Sequence, residues 1–200
     1  ESVMLLLPCI VAVIYRESAG ISFLITAVIA LVIGTLMSLR KPTRTKVYGR
    51  DGFVTVALAW LVMSLIGGLP FTLNGDIPSY LDAVFETVSG FTTTGASIFS
   101  EVEHLTKSIL FYRGFMHFIG GMGILTFVMA IIPLTKKDNS MHVLKAEMPG
   151  PSVSKLVPST KKTLFYLYSI YIGLTVAEMI LLLIGGMPFF DSLVISIGTA

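Results

Sequence analysis

Residues Ser89 to Ser97 read SGFTTTGAS, a small polar run in a chain that is 54% hydrophobic and 13% charged. Threonines next to a glycine at this spacing could do one kind of chemistry: present backbone oxygens to a cation. An ion entering a pore exchanges its water shell for other oxygens, and rings of backbone carbonyls can supply them. The chain must then be extended, with dihedrals that β-branched residues favour in part and glycine adopts freely. Thr93, Thr94, Gly95 and Ala96 meet that need, and a threonine hydroxyl can add an oxygen at the inner mouth. A short helix ending here would aim the negative, carbonyl end of its dipole at the ion path. An anion pore would instead present helix N-termini or basic side chains. By itself the run also reads as a Ser/Thr/Gly turn between two helices, so the surrounding elements decide.

Those elements are apolar. The 200 residues have a mean hydropathy of +0.85, which excludes an ordinary soluble domain. Crossing a bilayer takes about 20 apolar residues. Candidate spans are Val3–Tyr15, which is short, Ile21–Leu39, Phe53–Leu69, Phe111–Leu134 and Leu164–Ile184. The first lacks the basic start and small-residue cleavage site of a secretory signal. The single cysteine, Cys9, excludes an intramolecular disulfide. The abrupt start at Glu1 and the stop at Ala200 without a polar tail lead us to expect a fragment.

The net charge of +2 matters less than its distribution. Arg40, Lys41, Arg44, Lys46 and Arg50 lie between the second and third runs; Lys136, Lys137, Lys145, Lys155, Lys161 and Lys162 precede the fifth. Basic loops stay on the cytoplasmic side, which puts Pro70 to Leu110 outside. That segment carries Asp76, Asp82, Glu86, Glu101 and Glu103 against Lys107. Within it, SYLDAVFETVSGF predicts a helix: Ser79 as cap, Asp82 at the third helical position to complete a capping box, and Leu81, Val84, Phe85 and Val88 at helical spacing. About three turns long, it is too short to span. A short helix followed by polar backbone between two spans outlines a re-entrant pore loop, since irregular backbone at membrane depth must lie inside protein or beside a water-filled cavity.

The pattern repeats. IGGLPF at Ile66–Phe71 ends one span and IGGMPF at Ile184–Phe189 ends another. Each is followed by an aspartate opening an apolar run, LDAVFETVSG from Leu81 and FDSLVISIGT from Phe190. Aligning Asp82 with Asp191 sets Phe91 opposite Ala200, where the second copy's own polar stretch should begin. Repeated units about a pore or binding site are common in membrane transport proteins.

The run LDAVFETVSGFTTTGAS, followed by FYRGFMHFIGGMGILTFVMAIIPL, closely resembles the Trk/Ktr/HKT superfamily of potassium transporters, and its Trk type in particular. The resemblance covers essentially the whole chain. It implies an all-α membrane protein built from helix–pore-loop–helix repeats, each with a short re-entrant pore helix and an extended filter strand. It divides the chain into a preceding helix pair (1–39), a cytoplasmic basic loop (40–52), a first repeat (53–134), a cytoplasmic basic linker (135–163) and the start of a second repeat (164–200). It implies that Thr93, Thr94, Gly95 and Ala96 form one of four filter strands, with potassium at Thr93, Thr94 and Gly95. Ser97 falls where a potassium channel has its second filter glycine, so a less selective potassium and sodium transporter is one alternative; with one filter strand unable to surround an ion, a non-conducting structural fragment is another. The resemblance further implies uptake of potassium across the bacterial cytoplasmic membrane, a homodimer, and a cytosolic nucleotide-binding regulatory ring on the basic linker. The chain has no nucleotide-binding motif, and we expect neither a cofactor of its own nor a nucleic-acid partner.

Other residues support the pore or compete with it. Gly120, Gly121 and Gly123 predict close packing of their helix against the pore loop, with a gating hinge as the second reading. Arg113 and His117 share a helical face; Arg113 is placed to anchor the filter or pair with Glu86. Glu86 reads as a brace behind the filter, and its counterpart in the second copy is Ile195. Asp82 and Asp191 both suit helix starts and an acidic outer vestibule. Glu178 stands alone within the fifth run. A membrane-embedded enzyme would gather Arg113, His117 and Glu178 around a closed pocket. His104, His117 and His142 fall in different compartments, which argues against a shared metal site. Trp60 and the methionines and phenylalanines suit packing.

Overall fold

The computed structural model describes residues 2–39, 49–102, 104–131 and 160–199, and among these every regular element is a helix. In chain order they are α1 (Ser2–Tyr15), α2 (Ala19–Ser38), α3 (Gly49–Gly67), α4 (Leu69–Asn74), α5 (Tyr80–Phe91), α6 (Lys107–Ile131), α7 (Thr160–Ile184) and α8 (Phe189–Thr199). Ala19–Ser38, Ala57–Asn74 and Phe165–Ile184 are long and apolar enough to cross a membrane. The third predicted run thus continues past Leu69 through α4. Of the basic residues that set the expected orientation, Arg40, Lys41, Arg44, Lys46, Lys136, Lys137, Lys145 and Lys155 lie outside the described residues, as does His142.

Helix α6 is the hub, packing on α1, α5, α7 and α8 and touching α2. Its Tyr112 binds three elements at once. The ring meets Phe23 of α2 edge-on, with centroids 5.2 Å apart, and Phe71 of α4 at 5.6 Å. Its hydroxyl donates to Gly67 O at the end of α3, at 3.0 Å. Leu5, Ile109 and Met116 complete this buried core.

A second tie lies at the start of α6. Glu17, in the turn between α1 and α2, accepts from Lys107 N at 2.8 Å and Ser108 N at 2.9 Å, and from the Ser108 hydroxyl. These amides are orphan donors of a helix N-terminus, where a carboxylate also meets the favourable end of the dipole. Lys107 Nζ sits 4.9 Å from the Tyr15 ring and 4.7 Å from that of Phe190. The first hairpin, α6 and the start of α8 are therefore joined at one end of the bundle.

Candidate filter and its brace

The polar stretch is carried by α5. Ser79 is its N-cap, with extended backbone and an Oγ that accepts from Asp82 N at 3.5 Å. At 12 residues the helix is about 18 Å long. Its buried face is not the apolar one. Leu81 and Phe85 are exposed, whereas Ala83, Glu86, Thr87, Ser89 and Gly90 are buried, with Phe91 the one large apolar side chain among the buried residues. Small and polar residues let neighbouring helices come close, as expected where packing rather than water exclusion drives association. Thr87 Oγ1 reaches Ser64 O of α3 at 2.8 Å. A β-carbon on Gly120 would lie 2.3 Å from Phe91 O, so only glycine lets α6 touch the last turn of α5.

The helix ends on the threonines. Thr94 N donates to Ser89 O at 2.9 Å and Thr93 N to Gly90 O at 3.1 Å, the paired bonds of a Schellman cap. The left-handed position of such a cap usually holds glycine; here it holds Thr93, with φ 55°. A β-branched residue there is an outlier and costs on the order of 1–3 kcal/mol. Gly95 follows with φ 74°, while Thr92 has φ −84° and Thr94 stays on the ordinary side. The stretch therefore differs from the extended strand expected over Thr93 to Ala96. Thr92 and Thr93 close the helix, and residues 94–97 have no regular structure. Left-handed Thr93 and Gly95 on either side of Thr94 make this backbone neither helix nor pleated strand. Thr93, Thr94, Gly95 and Ala96 are all exposed, and Thr92 and Thr94 share a hydroxyl contact at 2.8 Å.

The far end of the stretch is pinned by charge. Glu86, 3% exposed, takes Arg113 Nη2 at 2.7 Å and Nε at 2.8 Å on Oε1. Ser97 Oγ lies 3.1 Å from both carboxylate oxygens and accepts from Arg113 Nη2 at 2.9 Å. Ile98 N donates to Oε2 at 3.1 Å, and Phe99 N to Ser97 Oγ at 3.1 Å. The guanidinium also lies 5.2 Å from the Phe99 ring. A buried carboxylate needs this many donors to offset its desolvation. The loop leaving Gly95 is thus fastened to both α5 and α6.

The other sequence candidates separate. Gly121 packs against Tyr171 of α7, and Gly123 against Trp60 of α3; α6 runs unbroken through all three glycines. His117 Nδ1 bonds Arg113 O at 2.9 Å. Glu178 Oε1 accepts from Thr199 Oγ1 at 2.6 Å, so Arg113 and Glu178 are engaged with different partners. Among the described residues no group of histidine, cysteine, aspartate or glutamate could hold a metal ion. Sequence reasoning missed Ser97 and the Ile98 amide as parts of the brace, and Glu17 as a clamp. A serine directly after the glycine stretch was the available signal for the first.

Comparison with known proteins agrees with this architecture. The profile of the TrkH family, described as a cation transport protein, matches residues 19–191. The chain is 38% identical over 202 residues to the Trk system potassium uptake protein TrkH of Vibrio parahaemolyticus, covering 99% of this chain and 41% of that protein. It is 37% identical to an uncharacterized cation transporter of Methanocaldococcus jannaschii, covering 94% of this chain and 39% of that protein. The crystal structure of the potassium transporter TrkH from Vibrio parahaemolyticus superposes with a TM-score of 0.76 at 34% identity, covering 98% of this chain and 39% of that one. The chain thus spans about two fifths of the length of these relatives. It belongs to the TrkH family of cation transport proteins, a family of transporters and not of enzymes.

Proposed function

We propose that this chain forms the first part of the pore-forming subunit of a Trk-type system that takes up potassium across the bacterial cytoplasmic membrane. The observation that carries the reading is the backbone from Thr93 to Ala96. Left-handed residues at Thr93 and Gly95 sit at the carbonyl end of a helix too short to span, and the exit is fixed by Glu86, Arg113 and Ser97. The Thr93, Thr94, Gly95 and Ala96 carbonyls make one of four filter strands and replace part of the ion's hydration shell. Residues 1–39 precede the repeats, 53–134 make the first repeat and 164–200 begin the second. The basic segments 40–52 and 135–163 face the cytoplasm, and residues 70–110 face outside. The membrane potential then assists entry by about 2.3 kcal/mol per elementary charge per 100 mV. A homodimer and a cytosolic nucleotide-binding ring acting on the basic linker complete the assembly.

The test is rubidium and sodium uptake in a bacterium lacking its own potassium uptake, expressing the full parent chain intact or as Gly95→Ser. Rubidium preferred over sodium by the intact protein, and loss of that preference at equal membrane abundance in the variant, is the expected result. Unchanged preference in Gly95→Ser removes the filter role from this stretch.

A further inference from the structure

We infer that Ser97 is a positioning residue for ion selection: its hydroxyl sets the exit of the filter and gives no oxygen to the ion. The inference rests on the filter reading of Thr93 to Ala96, and adds where the ion-lining stretch stops and what holds it there. A serine hydroxyl has one proton to donate and two lone pairs that accept. Arg113 Nη2 lies 2.9 Å from Ser97 Oγ, and Phe99 N lies 3.1 Å from it. Both nitrogens are donors only, so they occupy the two lone pairs. The proton goes to Glu86, whose carboxylate oxygens are each 3.1 Å away. The hydroxyl is thereby saturated, although Ser97 itself is exposed. Thr94 differs. Its Oγ1 meets Thr92 Oγ1 at 2.8 Å, which leaves capacity for a further partner. Of the two hydroxyls that flank Gly95 and Ala96, one can serve a cation and the other cannot.

The ties on either side define what Ser97 holds. Thr94 N donates to Ser89 O at 2.9 Å, and Ile98 N to Glu86 Oε2 at 3.1 Å. Ser89 and Glu86 are three residues apart on α5, a rise of about 4.5 Å, so the ties step back along the helix that the chain has just left. Gly95 and Ala96 lie between them. Packing does not hold these two residues. A β-carbon on Gly95 would meet nothing within 4 Å, and Ala96 is exposed. Their place is set from the ends, and at the exit Ser97 is the side chain that joins the loop to Glu86 of α5 and Arg113 of α6. Loosening that exit frees the carbonyls of Gly95 and Ala96 to close on the smaller sodium ion.

The experiment measures rubidium and sodium uptake by the full parent transporter in a bacterium lacking its own potassium uptake. Ser97→Ala, Ser97→Thr and Ser97→Gly are compared with Gly95→Ser at equal membrane abundance. Ser97→Ala keeps Arg113 on Glu86 through Nε and Nη2 and should fold. It should lower the rubidium-to-sodium ratio by about tenfold, because the lost bonds are to charged groups. Ser97→Thr keeps the hydroxyl, has room for its methyl at an exposed position and should restore the ratio of the intact protein. Ser97→Gly should match Ser97→Ala, although it supplies the second glycine of a potassium-channel filter. An unchanged ratio in Ser97→Ala, with the ratio lost in Gly95→Ser, overturns the inference and leaves the filter reading standing. Unchanged ratios in both overturn the two together. A ratio raised by Ser97→Gly also overturns the inference, since position 97 would then line the ion path. So does a loss in Ser97→Thr as large as that in Ser97→Ala, which would make the role one of fit and not of the hydroxyl. A lower melting temperature in Ser97→Ala with the intact ratio reduces Ser97 to a purely structural tie and overturns it as well.

Discussion

The two copies of the IGG-x-PF sequence use the same glycine for different reasons. In the first, Gly68 is right-handed, with φ −73° and ψ −20°, and a β-carbon on it would come within 3.2 Å of Val84 N in the pore helix α5. In the second, Gly186 is left-handed, with φ 88°, and nothing lies within 4 Å of its missing β-carbon. The first glycine makes room for a neighbour, and α4 then intervenes before the pore helix. The second turns the chain, and α8 begins almost at once, at Phe189. The acids differ as well. The first pore helix carries its own, Glu86, answered by Arg113 of the following helix. The end of the second is held by Glu178 of the preceding helix through Thr199. A shared motif therefore preserves the outline of a repeat while its local physics diverges.

The sharpest way to break this comparison is at α6, which carries a glycine against each pore helix. Gly120→Leu should leave almost no folded protein in the membrane, because the new side chain meets the backbone of Phe91 and Gly90. Gly114 faces Val194 O, at 2.9 Å from an added β-carbon, and the Ile197 side chain. Gly114→Ala should be milder than Gly120→Ala in membrane abundance and thermal melting. The reverse order would mean that the second pore helix, not the first, is the rigid one.

Next comes the brace. Arg113→Ala strands a buried carboxylate, a loss of about 3–5 kcal/mol, and should lower the melting temperature of the parent protein and its rubidium preference together. Ile195→Ala, at the matching place in the second copy, removes a side chain that is 39% exposed and should cost less than about 2 kcal/mol. Equal losses would show that the asymmetry between the copies carries no energy.

The smallest effect belongs to the motif itself. Gly186→Ala should cost about 1–2 kcal/mol through its left-handed backbone without changing uptake. Gly68→Ala should cost a similar amount but, on the proposed function, reach the filter, since its contact is α5. Parallel melting curves and rubidium-to-sodium ratios of the two variants separate turn strain from displacement of the filter.

Much of this was legible in the sequence because it follows from length, hydropathy and capping. The span Ala19–Ser38, the short helix capped by Ser79 and the end of that helix near Gly90 depend on local residue types. The chain's membership of a transporter family came from the filter stretch and the glycine-rich run of α6. The details that depend on packing were not legible. Leu81, Phe85 and Val88 gave the correct period, yet the buried face of α5 is the small and polar one, because inside a membrane apolarity no longer marks the interior. Extended backbone was the natural expectation for consecutive threonines. The cap made by Thr93 and Thr94 on Ser89 and Gly90 outweighs that preference. Glu17 carried no signal of its role, since nothing local announces a partner 90 residues away.

That clamp has a consequence for synthesis. A chain made from its amino end at about 5–20 residues per second delivers Glu17 roughly 5–20 s before Lys107 and Ser108. Through that interval the first hairpin is a finished docking piece whose carboxylate still awaits its donors. Closing the contact sets the hairpin and the start of α6 in register, and leaves Lys107 in place for the ring of Phe190, which is made later. The turn between α1 and α2 thereby joins the earliest-made helices to the start of α6 and, through Lys107, to the start of α8.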